Sequence, residues 1–124
     1  MKRLITAVFA LVLLTGCSSA TSPSTTASVT MKLVSATTTH GDAAGFTYTI
    51  TIPTGQSARS LSINWGDGQT QSVAISTALA TTTPETFTGS LTHTFVSSGS
   101  FSVTITLTDS TGNSTQSSTI VNVT

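Results

Sequence analysis

Apolar side chains recur at every second position through most of the chain after residue 28, and this alternation is the strongest constraint on the fold. Segment 101–108 alternates apolar residues with serine or threonine without a break, and segment 46–52 repeats the pattern with threonine. A period of two sends successive side chains to opposite faces of a β-strand, whereas a helix repeats every 3.6 residues. Threonine favours strands because its branched side chain fits the pleated surface. The sequence therefore predicts half-buried β-strands, and no stretch has a convincing helical period.

Seven segments of this kind are separated by turn signals. Their apolar positions lie within 29–33, 46–52, 61–65, 73–75, 87–95, 101–107 and 119–123. Pro53 ends the second segment, Gly66-Asp67-Gly68 ends the third, and residues 109–113 read as a hairpin connection. Short strands joined by frequent turns are typical of a sandwich of two antiparallel sheets. We therefore predict an all-β antiparallel sandwich of about seven strands.

The N-terminus has the order of features expected of a secretion signal. Lys2 and Arg3 give a positive start, residues 4–14 are apolar apart from Thr6, and small residues precede Cys17, the single cysteine. The apolar run is shorter than the roughly 20 helical residues that cross a bilayer, so a permanent transmembrane anchor is disfavoured. One cysteine excludes an intrachain disulfide and a site of several thiolates. A buried structural role is also disfavoured, because Cys17 lies outside every predicted strand.

Residues 14–17, Leu-Thr-Gly-Cys, resemble the lipobox of bacterial lipoproteins. The resemblance implies a signal peptide over residues 1–16, acylation of Cys17, and a mature chain that begins at this cysteine. Residues 17–28 carry no large apolar side chain and predict a Ser/Thr-rich disordered tether, followed by one domain over residues 29–124. The expected location is extracytoplasmic, with a lipid anchor in the bacterial membrane. By the same resemblance, Ser18 after the lipidated position implies the outer membrane where the envelope has two membranes.

The charges of the predicted mature chain restrict its partners. Beyond the signal, Lys32 and Arg59 are the only lysine and arginine, against four acidic residues. Nucleic-acid binding requires several basic groups to neutralise phosphates. Nucleic acid is therefore not an expected partner, and the predicted surface takes its polarity from serine and threonine.

Three blocks of sequence resemble a PKD domain when they are taken together and in order. They are 63–68 (INWGDG), 91–95 (LTHTF) and 99–109 (GSFSVTITLTD). The positions that carry the resemblance are Trp65, Gly66, Asp67, Gly68, His93, Phe95, Gly99, Phe101 and Asp109. The resemblance covers roughly residues 29–124 and implies an immunoglobulin-like sandwich that serves as a spacer or binding module. It implies no chemistry by itself, and a widely shared fold does not specify function without a site.

Asp67 is the one candidate for a calcium ligand. Glycine-rich turns expose carbonyl oxygens, which suit Ca²⁺, but one carboxylate provides few of the six to eight oxygens that this ion takes. The favoured interpretation is structural, with the carboxylate accepting backbone N–H groups of its own turn. Asp109, before the next turn, is interpreted in the same way.

His93 and Trp65 both share strand parity with apolar neighbours, so both are expected to face inward. His93 should point to the core or pack over the turn at residues 66–68, and Trp65 should lie in the core and not serve as a sugar platform. Zinc needs three or four ligands, and the chain offers only His40 and His93. No nucleophile motif accompanies the histidines.

These observations predict a non-enzymatic, lipid-anchored envelope protein without a cofactor, whose PKD-like domain binds a protein or a polysaccharide. An alternative is a structural accessory subunit of a larger envelope complex, docked through an exposed strand edge. A hydrolase-associated or catalytic module is disfavoured. The Thr-rich strand faces are interpreted as ordinary solvent-facing surface.

Overall fold

The computed structural model describes residues 26–34, 37–75 and 82–124. Within these ranges it contains eight strands: β1 (Ser28–Leu33), β2 (Thr37–Thr38), β3 (Ala43–Ile52), β4 (Ala58–Asn64), β5 (Thr70–Val73), β6 (Glu85–Thr94), β7 (Gly99–Asp109) and β8 (Ser114–Val123). The predicted signal peptide, Cys17 and most of the predicted tether lie outside the described residues. No helix in the described ranges is long and apolar enough to cross a membrane.

The strands form two sheets. One has three strands in the order β1-β3-β6, and the other has five in the order β2-β8-β7-β4-β5. All neighbours are antiparallel except β2 and β8, which pair in parallel over two residues. The prediction of an all-β, two-sheet sandwich is confirmed. The seven predicted strands are all present, and the two-residue β2 is the addition.

The core lies between the inward faces of the two sheets. Alternate residues of β3 and β7 are buried, including Phe46, Ile50, Val103 and Ile105, while Thr104 between the β7 pair is only partly covered. Burying a side chain of this size stabilises the fold by about 1.5–3 kcal/mol. The alternation of apolar and polar residues in these strands therefore matches the alternation of buried and more exposed side chains.

Two boundaries differ from the sequence prediction. Ala27 is buried and its carbonyl accepts a hydrogen bond from the Thr115 hydroxyl at 2.7 Å, so the ordered body includes two residues assigned to the tether. β8 begins at Ser114 and not near Thr119, because the all-polar segment 114–118 is aligned by antiparallel pairing with β7. Neither the burial of Ala27 nor the start of β8 at Ser114 is marked in the sequence by alternating large apolar residues.

Candidate functional site

The turn that follows β4 is fixed by side-chain and backbone hydrogen bonds. The Trp65 amide donates to the Gln69 carbonyl at 3.0 Å and closes the turn. The Gly66 amide donates to Asn64 Oδ1 at 2.9 Å, and the Gln69 amide donates to Asp67 Oδ1 at 2.9 Å. Asp67 thus accepts a backbone N–H group of its own turn, the geometry expected of an Asx turn.

Gly66 brings this turn against the backbone of β7. Its φ is +81°, and a Cβ at this position would lie 2.6 Å from the Ser102 carbonyl oxygen. Gly68 has a similar φ of +92°, but nothing lies within 4 Å of the position of its Cβ. Gly66 is therefore required by both conformation and contact, whereas Gly68 is required by conformation alone.

His93 links the three-stranded sheet to this turn. Its Nε2 donates to Asp67 Oδ2 at 2.8 Å, and the His93 and Asp67 side chains are only 10% and 8% exposed. An ionised carboxylate only accepts hydrogen bonds, so Nε2 carries the proton. Burial raises the pKa of Asp67, but the hydrogen bonds from His93 and the Gln69 amide outweigh it and hold the pKa below its ordinary value of 3.8.

Five rings form a continuous row through the core next to this contact, which we call the aromatic row. Its members are Phe46, Trp65, His93, Phe95 and Phe101, with neighbouring ring centroids 5.3, 4.4, 4.7 and 4.7 Å apart. His93 stacks on Trp65 at an angle of 5° and lies nearly perpendicular to Phe95, at 86°. Because Trp65 is 1% exposed, it is a core residue and presents no platform for a sugar.

Asp109 organises the hairpin between β7 and β8. Its Oδ1 accepts hydrogen bonds from the Thr111 amide (2.9 Å), the Thr111 hydroxyl (2.6 Å) and the Asn113 amide (2.9 Å). The side chain is buried, and Oδ2 has no hydrogen-bond partner. Burial raises the pKa of Asp109, but the bonds from Thr111 and Asn113 outweigh it and lower the pKa from its ordinary value. Gly99 begins β7, where the Phe101 ring lies against it.

The candidate metal ligands bond to other groups of the protein. Both carboxylate oxygens of Asp67 are engaged, one by Gln69 and one by His93. His40 directs its Nδ1 to the Thr124 carbonyl at 3.2 Å. In residues 26–34, 37–75 and 82–124 no three His, Cys, Asp or Glu side chains come together as a metal site would require.

The His93–Asp67 pair combines the residue types of the histidine–carboxylate half of a catalytic triad, but Asp67 bonds Nε2, the nitrogen that faces the serine in the Ser-His-Asp triad, and not Nδ1. Within the described ranges, no serine hydroxyl hydrogen-bonds to His93. Trp65 covers one face of the imidazole, and Phe95 contacts the ring as well. The arrangement orients and buries the histidine, and it suits a structural bridge between sheets.

Sequence reasoning did not find a cleft between the sheets near the start of β6. Tyr48 and Ile50 of β3, Phe87 of β6 and Gln56 of the β3–β4 loop line it. Gln56 is 9% exposed and its Oε1 has no hydrogen-bond partner. A glutamine beside glycine and proline predicts an exposed loop, so no local signal marks its burial.

The β6 strand has a free edge. Among the described strands it pairs only with β3, over ten residues from Glu85 to Thr94. Every second residue of such a strand directs its backbone N–H and C=O groups away from the sheet. The side chains on its outer face are exposed hydroxyls, as at Ser90 and Thr92.

Comparison with solved structures supports the fold. The chain is similar to the PKD domain of an M14-like peptidase from a Thermoplasmatales archaeon, with a TM-score of 0.56 and 21% identity over 77% of this chain and 91% of that one. It is also similar to a CARDB domain from Pyrococcus furiosus that was solved in complex with di-metal ions, with a TM-score of 0.52 and 14% identity over 80% of this chain and 88% of that one. No protein-family model matches the sequence, and no curated protein matches it. The fold is therefore an immunoglobulin-like β-sandwich whose structural neighbours are PKD and CARDB domains.

Proposed function

We propose that this protein is a non-enzymatic, lipid-anchored component of a bacterial cell envelope whose sandwich domain binds a protein or glycan partner. A non-catalytic role is supported by the structural contacts of His93 and Asp67. Both side chains are largely buried and bonded to each other, and His93 is also stacked in the aromatic row. The chain's best candidates for chemistry therefore stabilise the sandwich.

The lipobox-like sequence ending at Cys17 supports the anchor. Ten residues from Cys17 to Thr26 separate the proposed lipid from buried Ala27, and a flexible segment of this length reaches about 20 Å. The domain would consequently work close to the membrane surface. More than one acyl chain makes such an anchor stable, because each buried CH₂ contributes about 0.8 kcal/mol.

Replacing the cysteine tests this anchor. We expect Cys17→Ser to move the protein out of the membrane fraction of the host bacterium, because serine provides no thiol for acylation. Ser19→Ala is the matched control and should fractionate like wild type. A Cys17→Ser chain that remains in the membrane pellet to the wild-type extent would contradict the anchor.

The free edge of β6 favours a second candidate, a structural accessory subunit that docks by strand addition. An added strand would form main-chain hydrogen bonds along β6 and extend the three-stranded sheet. Natural sheet edges that avoid such pairing carry lysine, proline or bulges, and β6 contains none of these.

Pull-down from detergent-solubilised membranes tests strand addition. A lysine on β6, as in Ser90→Lys or Thr92→Lys, should reduce recovery of a stoichiometric protein partner. Ser62→Lys is the control, because Ser62 is also exposed but lies in β4 with paired strands on both sides. Undiminished recovery with both β6 variants would exclude this edge, and binding to isolated glycans instead would favour the recognition role.

A further inference from the structure

The edges of the two sheets formed by β6 and β5 lie on the same side of the sandwich. On the opposite side β1 packs against β8, where the Met31 amide donates to the Ser117 hydroxyl at 3.1 Å. At the other edge of the three-stranded sheet, His93 of β6 stacks on Trp65, directly after β4. The smaller sheet therefore ends over β4, and among the described strands none lies opposite the inner side of β5.

Apolar side chains at these two edges are incompletely covered. Val73 of β5 pairs with buried Leu61 and so has inward parity, yet it is only half-buried. Phe87 of β6 pairs with buried Ile50 and is 42% exposed. We call this side of the sandwich, from Val73 to Phe87, the open flank. One more strand beside β6 would cover both side chains.

The register of β6 determines which side chains of an added strand would face inward. Residues directly opposite each other on neighbouring strands share a face of the sheet. Positions opposite Phe87 and Leu91 would therefore point into the open flank, and positions opposite Thr88 and Ser90 would point to solvent. A segment with alternating apolar and polar residues fits this register.

The cleft near the start of β6 limits the size and charge of the inward side chains. It encloses about 190 Å³ between Phe87 and Ile75, and an apolar cavity of about 150 Å³ accommodates benzene. It therefore accepts one large apolar side chain. Glu85 also lines it, and none of the described lining residues is Lys, Arg or His. Because opposite charges on neighbouring strands attract, a basic residue is favoured opposite Glu85.

We propose that the open flank binds an extended peptide segment as a fourth strand, antiparallel to β6. Its apolar side chains alternate and face inward, one large side chain occupies the cleft beside Phe87, and a basic residue lies opposite Glu85. Antiparallel pairing continues the pattern of this sheet. The inference rests on the strand-addition candidate of the proposed function, and it specifies the chemistry of the segment that is added.

A short peptide tests this inference. The acetylated and amidated peptide Ile-Thr-Val-Thr-Leu-Thr-Lys places its leucine opposite Phe87 and its lysine opposite Glu85. Titrated into the full chain in detergent, it should cause saturable NMR shifts of the Val73, Ile75 and Leu91 methyl signals. Val121 of β8, buried far from this edge, is the internal control.

A reordered peptide of the same composition tests the alternation. Ile-Val-Leu-Thr-Thr-Thr-Lys cannot direct all three apolar side chains inward, so we expect it to bind about tenfold more weakly. The equal composition controls for partition into the detergent. Absence of a saturable shift with the alternating peptide, or equal binding of both peptides, would overturn the inference.

Variants of the protein test the register. Phe87→Ser should weaken binding of the alternating peptide about tenfold, because it removes an apolar wall of the cleft. Ile120→Ser is the matched control, since Ile120 is 63% exposed on the outer face of β8, and it should bind like wild type. Glu85→Gln should weaken binding about threefold and reduce its salt dependence. Wild-type affinity in both Phe87→Ser and Glu85→Gln would exclude this register.

This inference and the strand-addition candidate can fail separately. If neither peptide binds while Ser90→Lys still lowers recovery of a protein partner, the β6 edge adds a strand of another pattern and only this inference is wrong. If the alternating peptide binds as expected while recovery of the partner is undiminished, the open flank accepts this kind of strand and the accessory role is excluded.

Discussion

At residue 66, the backbone conformation and the close packing against β7 both require glycine. We expect Gly66→Ala to lower the free energy of unfolding by about 3 kcal/mol, since a positive φ costs about 1–2 kcal/mol for a residue with a Cβ and the Ser102 backbone must also move. Gly68→Ala is the matched control and should cost only about 1–2 kcal/mol. Urea denaturation measures both. Equal losses would show that the contact with β7 contributes nothing.

The ionisation of the Asp67 carboxyl group makes the free energy of unfolding depend on pH in the acid range. Its pKa is lowered in the folded protein, so its carboxylate contributes stability that is present above the ordinary value of 3.8 and is lost as pH falls through the lower folded value. Asp109 acts in the same direction. We expect the free energy of unfolding to fall below about pH 4, and to fall less steeply in Asp67→Asn. Urea denaturation between about pH 2 and 6 measures this.

Asp42→Asn is the control for that experiment, because Asp42 is exposed and makes no side-chain hydrogen bond or ion pair that would link it to folding. Its acid dependence should follow that of wild type. An Asp67→Asn curve parallel to both would contradict a stabilising carboxylate at residue 67.

The sequence predicted local roles better than distant contacts. The acceptor role of Asp67 was predictable because the amide it binds is two residues away. Strand parity placed His93 inward, either in the core or over the turn at residues 66–68. Its bond to Asp67 of that turn joins residues 26 apart, and no local pattern specifies this bond. The burial of Gln56 was missed for the same reason, since it depends on how the sheets meet.

Among the elements, the β7–β8 hairpin depends most visibly on one side chain. Asp109→Ala removes the acceptor of the Thr111 and Asn113 amides, so we expect a loss of about 1–3 kcal/mol in the free energy of unfolding. Amide exchange should accelerate first in the hairpin. Thr111→Ser keeps the hydroxyl donor and should lose much less. A stable Asp109→Ala protein with unchanged exchange would contradict this role.

Strands with alternating apolar residues were predictable as elements, whereas polar strand segments were not. β2 and the first half of β8 contain no large apolar side chains and become strands through pairing with their neighbours. Gly89 lies in the middle of β6, and the strand runs unbroken through it. A Cβ at Gly89 would overlap the Tyr48 ring, so the absence of a side chain makes room for that ring.

At the scale of the whole molecule, we propose separate roles for the sandwich and the N-terminal segment. The described domain buries its best reactive groups in structural contacts and leaves a strand edge and a cleft exposed. The lipobox-like segment is proposed to determine location. The proposed function combines the two as a small binding module that a short tether holds close to a membrane.

The mass of the protein extracted from membranes of its own host tests this account most directly. We predict a mature chain that begins at Cys17 and carries the added mass of acyl groups, with the modification confined to the N-terminal peptide. A chain that retains residues 1–16, or begins at Cys17 with an unmodified thiol, would contradict the account.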